Sequence, residues 1–173
     1  KIRAEVLKEM TNRGGPDTIM VDSSAGCPQY VGKYVSQIAQ ELDVDPVEAV
    51  RRVLLDSNAG THCIYFCINH DDIHYIMKQL YVCVGSDGHG RDYDCKNNPH
   101  PRNFAAFSQY FQTVREQNIH PIEDMVYKAT GLTASILGIT DRGTLTEGNW
   151  ADIAIFDPAV FASQSTFLAP KAP

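Results

Sequence analysis

The chain has 173 residues, 43% hydrophobic and 21% charged, with a formal net charge of -6, a balance that supports a folded core and excludes a disordered or fibrous chain. The negative charge and the lack of a dense Lys/Arg run exclude nucleic acid as the expected partner, because neutralising phosphates takes clustered cations. No apolar run reaches the roughly 20 residues that cross a bilayer and no charged-then-apolar leader opens the sequence, so no membrane partner is expected.

The first ten residues place Ile2, Val6 and Met10 four apart with no capping residue before them, the pattern of a helix already under way and hence of a piece of a longer protein. The turn cluster 12–17 precedes a short strand expected at Thr18 to Val21, and Ser23 to Pro28 read as loop. Val31, Tyr34, Val35, Ile38, Ala39 and Leu42 then recur at helical spacing. Asp45, Pro46 and Glu48 predict the next helix start, with a cap, a proline at the first helical position and a capping box. Cys63 to Ile68 are continuously apolar or aromatic, as in a fully buried strand. Asn69 opens a helix carrying Ile73, Ile76, Met77 and Leu80, and a second apolar strand is expected at Tyr81 to Gly85. Strands alternating with helices predict an α/β fold with a parallel sheet.

Residues 89–102 are polar and irregular, long enough for a connection to carry function. Phe104, Phe107, Phe111 and Val114 mark a long helix, Pro121 and Glu123 start another, and a short one closes at Gly138. From Gly143 the texture changes to turn residues and alternation through Ala151 to Asp157, which predicts a body over residues 1–142 and a β appendage over 143–173. The cysteines are odd in number, 5, and without a CxxC, so they predict a reducing, cytoplasmic setting. Cys63 and Cys67 in one strand would lie about 13 Å apart at roughly 3.3 Å per residue, too far to share one ion.

Asp87 is the residue that packing does not require. It follows the run Tyr81 to Val84 directly and stands with Ser86 between Gly85 and Gly88, at the strand end where parallel α/β folds gather chemistry. Capping is the structural alternative: the carboxylate accepts backbone N–H bonds and Gly88 permits a positive φ.

The segment Gly85-Ser86-Asp87-Gly88, the His100-Pro101-Arg102 triplet and a tail carrying Asp141-Arg142-Gly143, Glu147-Gly148, Ala151-Asp152, Phe156-Asp157-Pro158 and Thr166-Phe167 together resemble the amidohydrolase superfamily, most closely its N-acyl-D-amino-acid deacylase (D-aminoacylase) branch. The similarity extends back through residues 27–73. It implies the C-terminal part of a metal-dependent (β/α)8 TIM barrel, with strands returning to a small β domain. A full barrel takes about 250 residues, so the resemblance places the N-terminal barrel portion, or another chain supplying it, outside this sequence. None of the 6 histidines falls in an HxH pair, so the ligands of the implied zinc, one or two ions, belong to that missing portion.

The resemblance carries roles only to matching positions. Asp87 matches the carboxylate that takes a proton from metal-bound water, returns it to the leaving amine and touches a weak second metal site. Arg102 matches the anchor of the substrate carboxylate, for which a guanidinium fork is well shaped. His100, Ser86, Gly88 and Ile68 are implied to line the substrate site. His89 reads as a solvated loop residue. The implied activity is metal-dependent cleavage of the amide of N-acyl-D-amino acids, small-molecule substrates. Two alternatives stay open at this point: a cyclic-amide hydrolase of the dihydroorotase or hydantoinase kind, and a non-catalytic barrel relative serving as an interaction scaffold.

Overall fold

The structure, a computed structural model, describes residues 1–90, 92–94 and 99–172. Arg91, Cys95 and Lys96 of the polar loop lie outside the described residues. The described residues divide into two compact units, one spanning Lys1–Ile68 and the other running from Asn69 onward. Among them no helix is long and apolar enough to cross a membrane.

The first unit opens on α1 (Ile2–Asn12), of which Met10 is the buried contact while Ile2 is exposed. Strand β1 (Ile19–Ser24) follows, then α2 (Val35–Glu41) and α3 (Pro46–Asp56), then strand β2 (Thr61–Tyr65). Asp45 caps α3 as expected, accepting from the N–H groups of Val47 and Glu48 at 3.0 and 3.1 Å. The capping box does not form, because Glu48 turns instead to Arg51 and Arg52 at 2.7 and 3.1 Å. Both helices press their apolar stripes on the sheet, so Val21, Ile38, Ala39, Ala49 and Val53 close one cluster and Met10, Ile19 and Val35 a second. An apolar cleft of about 400 Å³ between α1, α3 and the sheet is rimmed by Glu5, Glu9 and Arg13.

The expected parallel sheet is corrected here. β1 and β2 pair antiparallel, Val21 opposite Cys63, with a register shift at Asp22. A parallel crossover uses one helix to bring the chain back; here two helices, joined by the short link 42–45, intervene. Short helix links give antiparallel neighbours, so the chain is turned once more before β2. Nor is the Cys63 to Ile68 run a fully buried strand: β2 ends at Tyr65, and Tyr65, Phe66 and Ile68 are exposed. Burial pushes the Cys63 thiol up, with the nearby Asp22 charge adding to it, the behaviour of a packing cysteine.

The second unit holds α4 (His70–Met77), α5 (Arg102–Glu116), α6 (Ile122–Ala129) and α7 (Gly131–Leu137). Asn69 caps α4 by accepting from Asp71 N–H at 2.9 Å, and Gly138 ends α7 in the left-handed region at φ 69°. Tyr110, Phe111, Val114 and Met125 form the core, with Met77, Val84, Phe156 and Phe161 packed against it. Phe107, expected on the same buried face, is instead 43% exposed.

The strand expected at Tyr81 to Gly85 and the strands expected after Gly143 are absent among the described residues. An apolar run becomes a strand only beside a partner ladder, and here Val84 N–H donates to the Lys128 carbonyl at 3.2 Å instead. Beyond Gly143, Ile153 and Ile155 face solvent while Phe156 stacks edge-on against Phe111 with centroids 5.3 Å apart. Arg115 pins this tail to α5, donating to the Pro158 and Phe161 carbonyls at 2.7 and 2.9 Å. The Asp141-Arg142-Gly143 triplet folds onto Trp150 and Asp152. Arg142 pairs with Asp152 and lies 5.1 Å from the centre of the Trp150 ring, whose N–H donates to Asp141 at 3.0 Å.

Asp22 is buried on β1 and its Oδ1 has no hydrogen-bond partner among the described residues. Burial raises its carboxyl above the ordinary 3.8, and His62 opposes this only in part. Because the folded value lies above the unfolded one, ionisation costs stability progressively as pH rises from 3.8 through the folded value, and the cost is constant above it. The Asp22→Asn variant is therefore expected to gain in melting temperature relative to the parent as pH moves from 4 to 7, read by thermal unfolding. A difference that does not change with pH would contradict the buried-carboxyl account.

Candidate active site

Among the described residues between α4 and α5 the backbone has no regular pairing, so the position of each group follows from individual contacts. After Val84 come Gly85, half-buried Ser86 and Asp87. Asp87 adopts a positive φ of 48°, a left-handed conformation that aspartate tolerates better than most residues. This turn throws its side chain outward to 85% exposure, with Oδ2 3.2 Å from Nη1 of Arg102.

Three bonds close the turn onto the start of α5. Gly88 N–H donates to Ser86 Oγ at 3.2 Å, His89 N–H donates to Asn103 Oδ1 at 2.7 Å, and Asn103 Nδ2 donates to the His100 carbonyl at 2.8 Å. One side chain, Asn103, thus bridges the Asp87 turn and the helix entry. Gly88 passes close to α5, since a Cβ there would stand 3.3 Å from Asn103 Cα and press the neighbour to give by a few tenths of an ångström, whereas one on Gly85 meets nothing within 4 Å.

His100 accounts for the helix start itself. Its Nδ1 accepts the Arg102 N–H at 3.2 Å, one of the first-turn donors that have no partner inside the helix. Its ring meets Phe167 edge-to-face at 5.1 Å between centroids. Burial and the Arg102 charge lower the His100 pKa from the usual 6.5, against a smaller opposite pull from Asp87, so the ring stays neutral with Nδ1 free to accept. Arg102 is the first residue of α5. A cation there faces the positive helix end, and the Asp87 carboxylate offsets this. A concavity of about 390 Å³ opens beside the pair, lined by Ser86, Arg102, Asn103, Phe104, Phe107 and Phe161.

Of the residues singled out in the sequence, Asp87, Arg102, His100, Ser86 and Gly88 share this one turn-and-helix junction. His89 contributes its backbone. Ile68 belongs to the first unit and is 70% exposed. Asn103 was missed, although it directly follows Arg102 in the first turn of a helix, where a short amide that bonds backbone groups is at home. No three His, Cys, Asp or Glu side chains among the described residues gather to hold a metal ion.

The family model described as the amidohydrolase family matches residues 75–171. The chain is 36% identical over 152 residues to an N-acyl-D-aspartate deacylase of Alcaligenes xylosoxydans xylosoxydans, covering 87% of this chain and 29% of that protein. It is 34% identical over 155 residues to an N-acyl-D-glutamate deacylase of the same organism, covering 89% of this chain and 30% of that protein. In structure it matches an N-acyl-D-glutamate deacylase from Bordetella bronchiseptica, solved with zinc and a phosphonate mimic of the tetrahedral intermediate, at TM-score 0.75 and 32% identity over 92% of this chain and 32% of that one. The chain thus spans about 30% of the length of the curated relatives it matches.

The junction makes a prediction of its own. Gly88→Ala is expected to lower the melting temperature by about one to two degrees more than Gly85→Ala does, because Asn103 must give by a few tenths of an ångström at the first site alone. Equal effects in thermal unfolding of the two variants would contradict the close approach of Gly88 to α5.

Proposed function

This chain belongs to the amidohydrolase family, and on that basis we propose that the protein carrying it hydrolyses the amide bond of N-acyl-D-amino acids to a carboxylate and a D-amino acid. The observation that carries the reading is the Asp87–Arg102 pair at 3.2 Å on the rim of an aromatic concavity, in a chain 36% and 34% identical to deacylases of N-acyl-D-aspartate and N-acyl-D-glutamate.

Each residue has work that its chemistry suits. Arg102 presents a planar fork of donors, fixed by the helix it starts, to which a substrate carboxylate binds with two parallel bonds. Asp87, exposed and one residue past Ser86, accepts a proton as water adds to the amide carbon and delivers it to the nitrogen as the C–N bond breaks. The nitrogen leaves as a neutral amine rather than an amide anion. His100 holds the Arg102 backbone and Asn103 holds the Asp87 turn, so the two working groups keep their separation. Ser86 and Gly88 border the substrate.

In the complete protein we assign one or two zinc ions to ligands outside these 173 residues, with zinc supplying Lewis-acid activation there; a zinc-bound deacylase is among the structural matches. We further assign residues 1–142 to the C-terminal part of a (β/α)8 barrel and 143–173 to a small β domain, with the N-terminal barrel portion supplying the partner strands. The cytoplasm is the assigned compartment, on the free thiols of Cys27, Cys63, Cys67 and Cys83.

Asp87→Asn in the full-length protein is expected to lower kcat by about 10³-fold while KM stays within a few-fold, as loss of a general acid–base group does. Arg102→Lys is expected to act mainly on KM, raising it by roughly tenfold or more through loss of the bidentate contact. Steady-state kinetics on an N-acyl-D-amino acid read both, and Asp87→Asn turnover within a few-fold of the parent would sink the assignment. Metal analysis of the intact protein is expected to find stoichiometric zinc; a zinc-free preparation with full activity would contradict the metal assignment.

A further inference from the structure

Lys128, in the last turn of α6, is 1% exposed and the largest of the fully buried side chains. A buried ammonium needs its protons taken up, and here they go to main-chain carbonyls: Nζ donates to the Met77 oxygen at 2.5 Å and to the Gln79 oxygen at 2.6 Å. These lie at and just past the C-terminus of α4, where carbonyls lack helical partners and the helix dipole favours a cation. His120 Nε2 shares the Met77 oxygen at 2.9 Å. The backbone of Lys128 holds the same segment further on, because its carbonyl accepts Val84 N–H at 3.2 Å. Residues 79–84 are therefore bracketed by one residue, using its side chain at one end and its main chain at the other. Only Gly85 and Ser86 separate the second anchor from Asp87.

We propose that Lys128 is the positioning residue for Asp87, fixing from behind the segment whose end presents the carboxylate to Arg102. The proposal rests on the reading of Asp87 as the proton carrier. Packing alone is a poor reason for the lysine: an apolar side chain of that length would fill the space without desolvating a charge, and burial lowers the lysine's pKa against the opposing pull of Asp124 and Cys83. What only the ammonium can do is tie two carbonyls of an irregular segment to a helix.

The test is a double-mutant cycle in the full-length protein with an N-acyl-D-amino acid substrate. Lys128→Met is expected to lower kcat by about 30- to 100-fold, since a displacement near 1 Å costs that order of rate, with KM within about threefold. In an Asp87→Asn background, assayed at high enzyme concentration, the same substitution is expected to cost less than about twofold, because its route of action is already gone. Full additivity, or Lys128→Met within threefold of the parent, overturns the proposal. If Lys128→Met does not fold by circular dichroism, Lys128→Gln, which keeps an N–H donor for one carbonyl, is judged by the same criteria. Near-parental turnover of Asp87→Asn overturns the proton-carrier reading and this assignment with it; a silent Lys128 variant beside an inactive Asp87→Asn overturns the Lys128 assignment alone.

Discussion

Backbone without a ladder must find partners one bond at a time, and residues 78–90, which follow α4, live under that constraint. Their N–H and C=O groups cannot be left unpaired where they are buried, so neighbouring elements reach in. At one end α6 sends the Lys128 ammonium to the Met77 and Gln79 carbonyls and its own carbonyl to Val84 N–H. At the other, α5 sends Asn103 to the His89 N–H. Asp87 lies between these supports. Its left-handed φ is held from both sides as well as by the local bond from Gly88 N–H to Ser86 Oγ.

The electrostatics of the site follow from where α5 begins. Arg102 stands at the positive end of the helix, an unfavourable place for a cation, and it is made tolerable by an anion 3.2 Å away. A neutral His100, capping the helix with Nδ1, avoids adding a second positive charge beside it. The pair is open to solvent, so its worth to stability is small. Its interest is chemical, a fixed fork of donors next to a carboxylate that is free to exchange partners.

The helices were legible because their signals are local: Asp45 before Pro46, Asn69 before an apolar 3.6-residue period, and Gly138 at a left-handed cap all act within one turn. Two strands were legible in place, β1 over most of the expected Thr18 to Val21 and β2 over part of the expected Cys63 to Ile68, but the sense of their pairing and the later strands were not, because pairing is decided by distant chain. Val82 to Val84 have the composition of a buried strand, yet Val84 N–H goes to the Lys128 helix carbonyl and Val82 N–H to the nearby Gln79 carbonyl; Ile153 and Ile155 alternate correctly and face water. Of the site, Asp87 stood out because packing does not require a carboxylate where it sits, and Arg102 stood out through the resemblance that its His100-Pro101-Arg102 triplet carries. Asn103 and Lys128 did not, since an amide on a polar helix start and a lysine on an amphipathic helix are ordinary in sequence and become informative only when their bonding partners are seen. The tail motif forms a clasp, Asp141 and Arg142 on Trp150 and Asp152.

The central claim is that Asp87 and Arg102 serve a hydrolase of linear amides of D-amino acids. It is tested most directly by incubating the full-length protein with N-acetyl-D-glutamate, its L-enantiomer and a cyclic ureide, and measuring the amino acid released. Release of D-glutamate, with no comparable reaction of the other two, is the predicted result. Opening of the cyclic ureide with no D-glutamate formed would contradict the account.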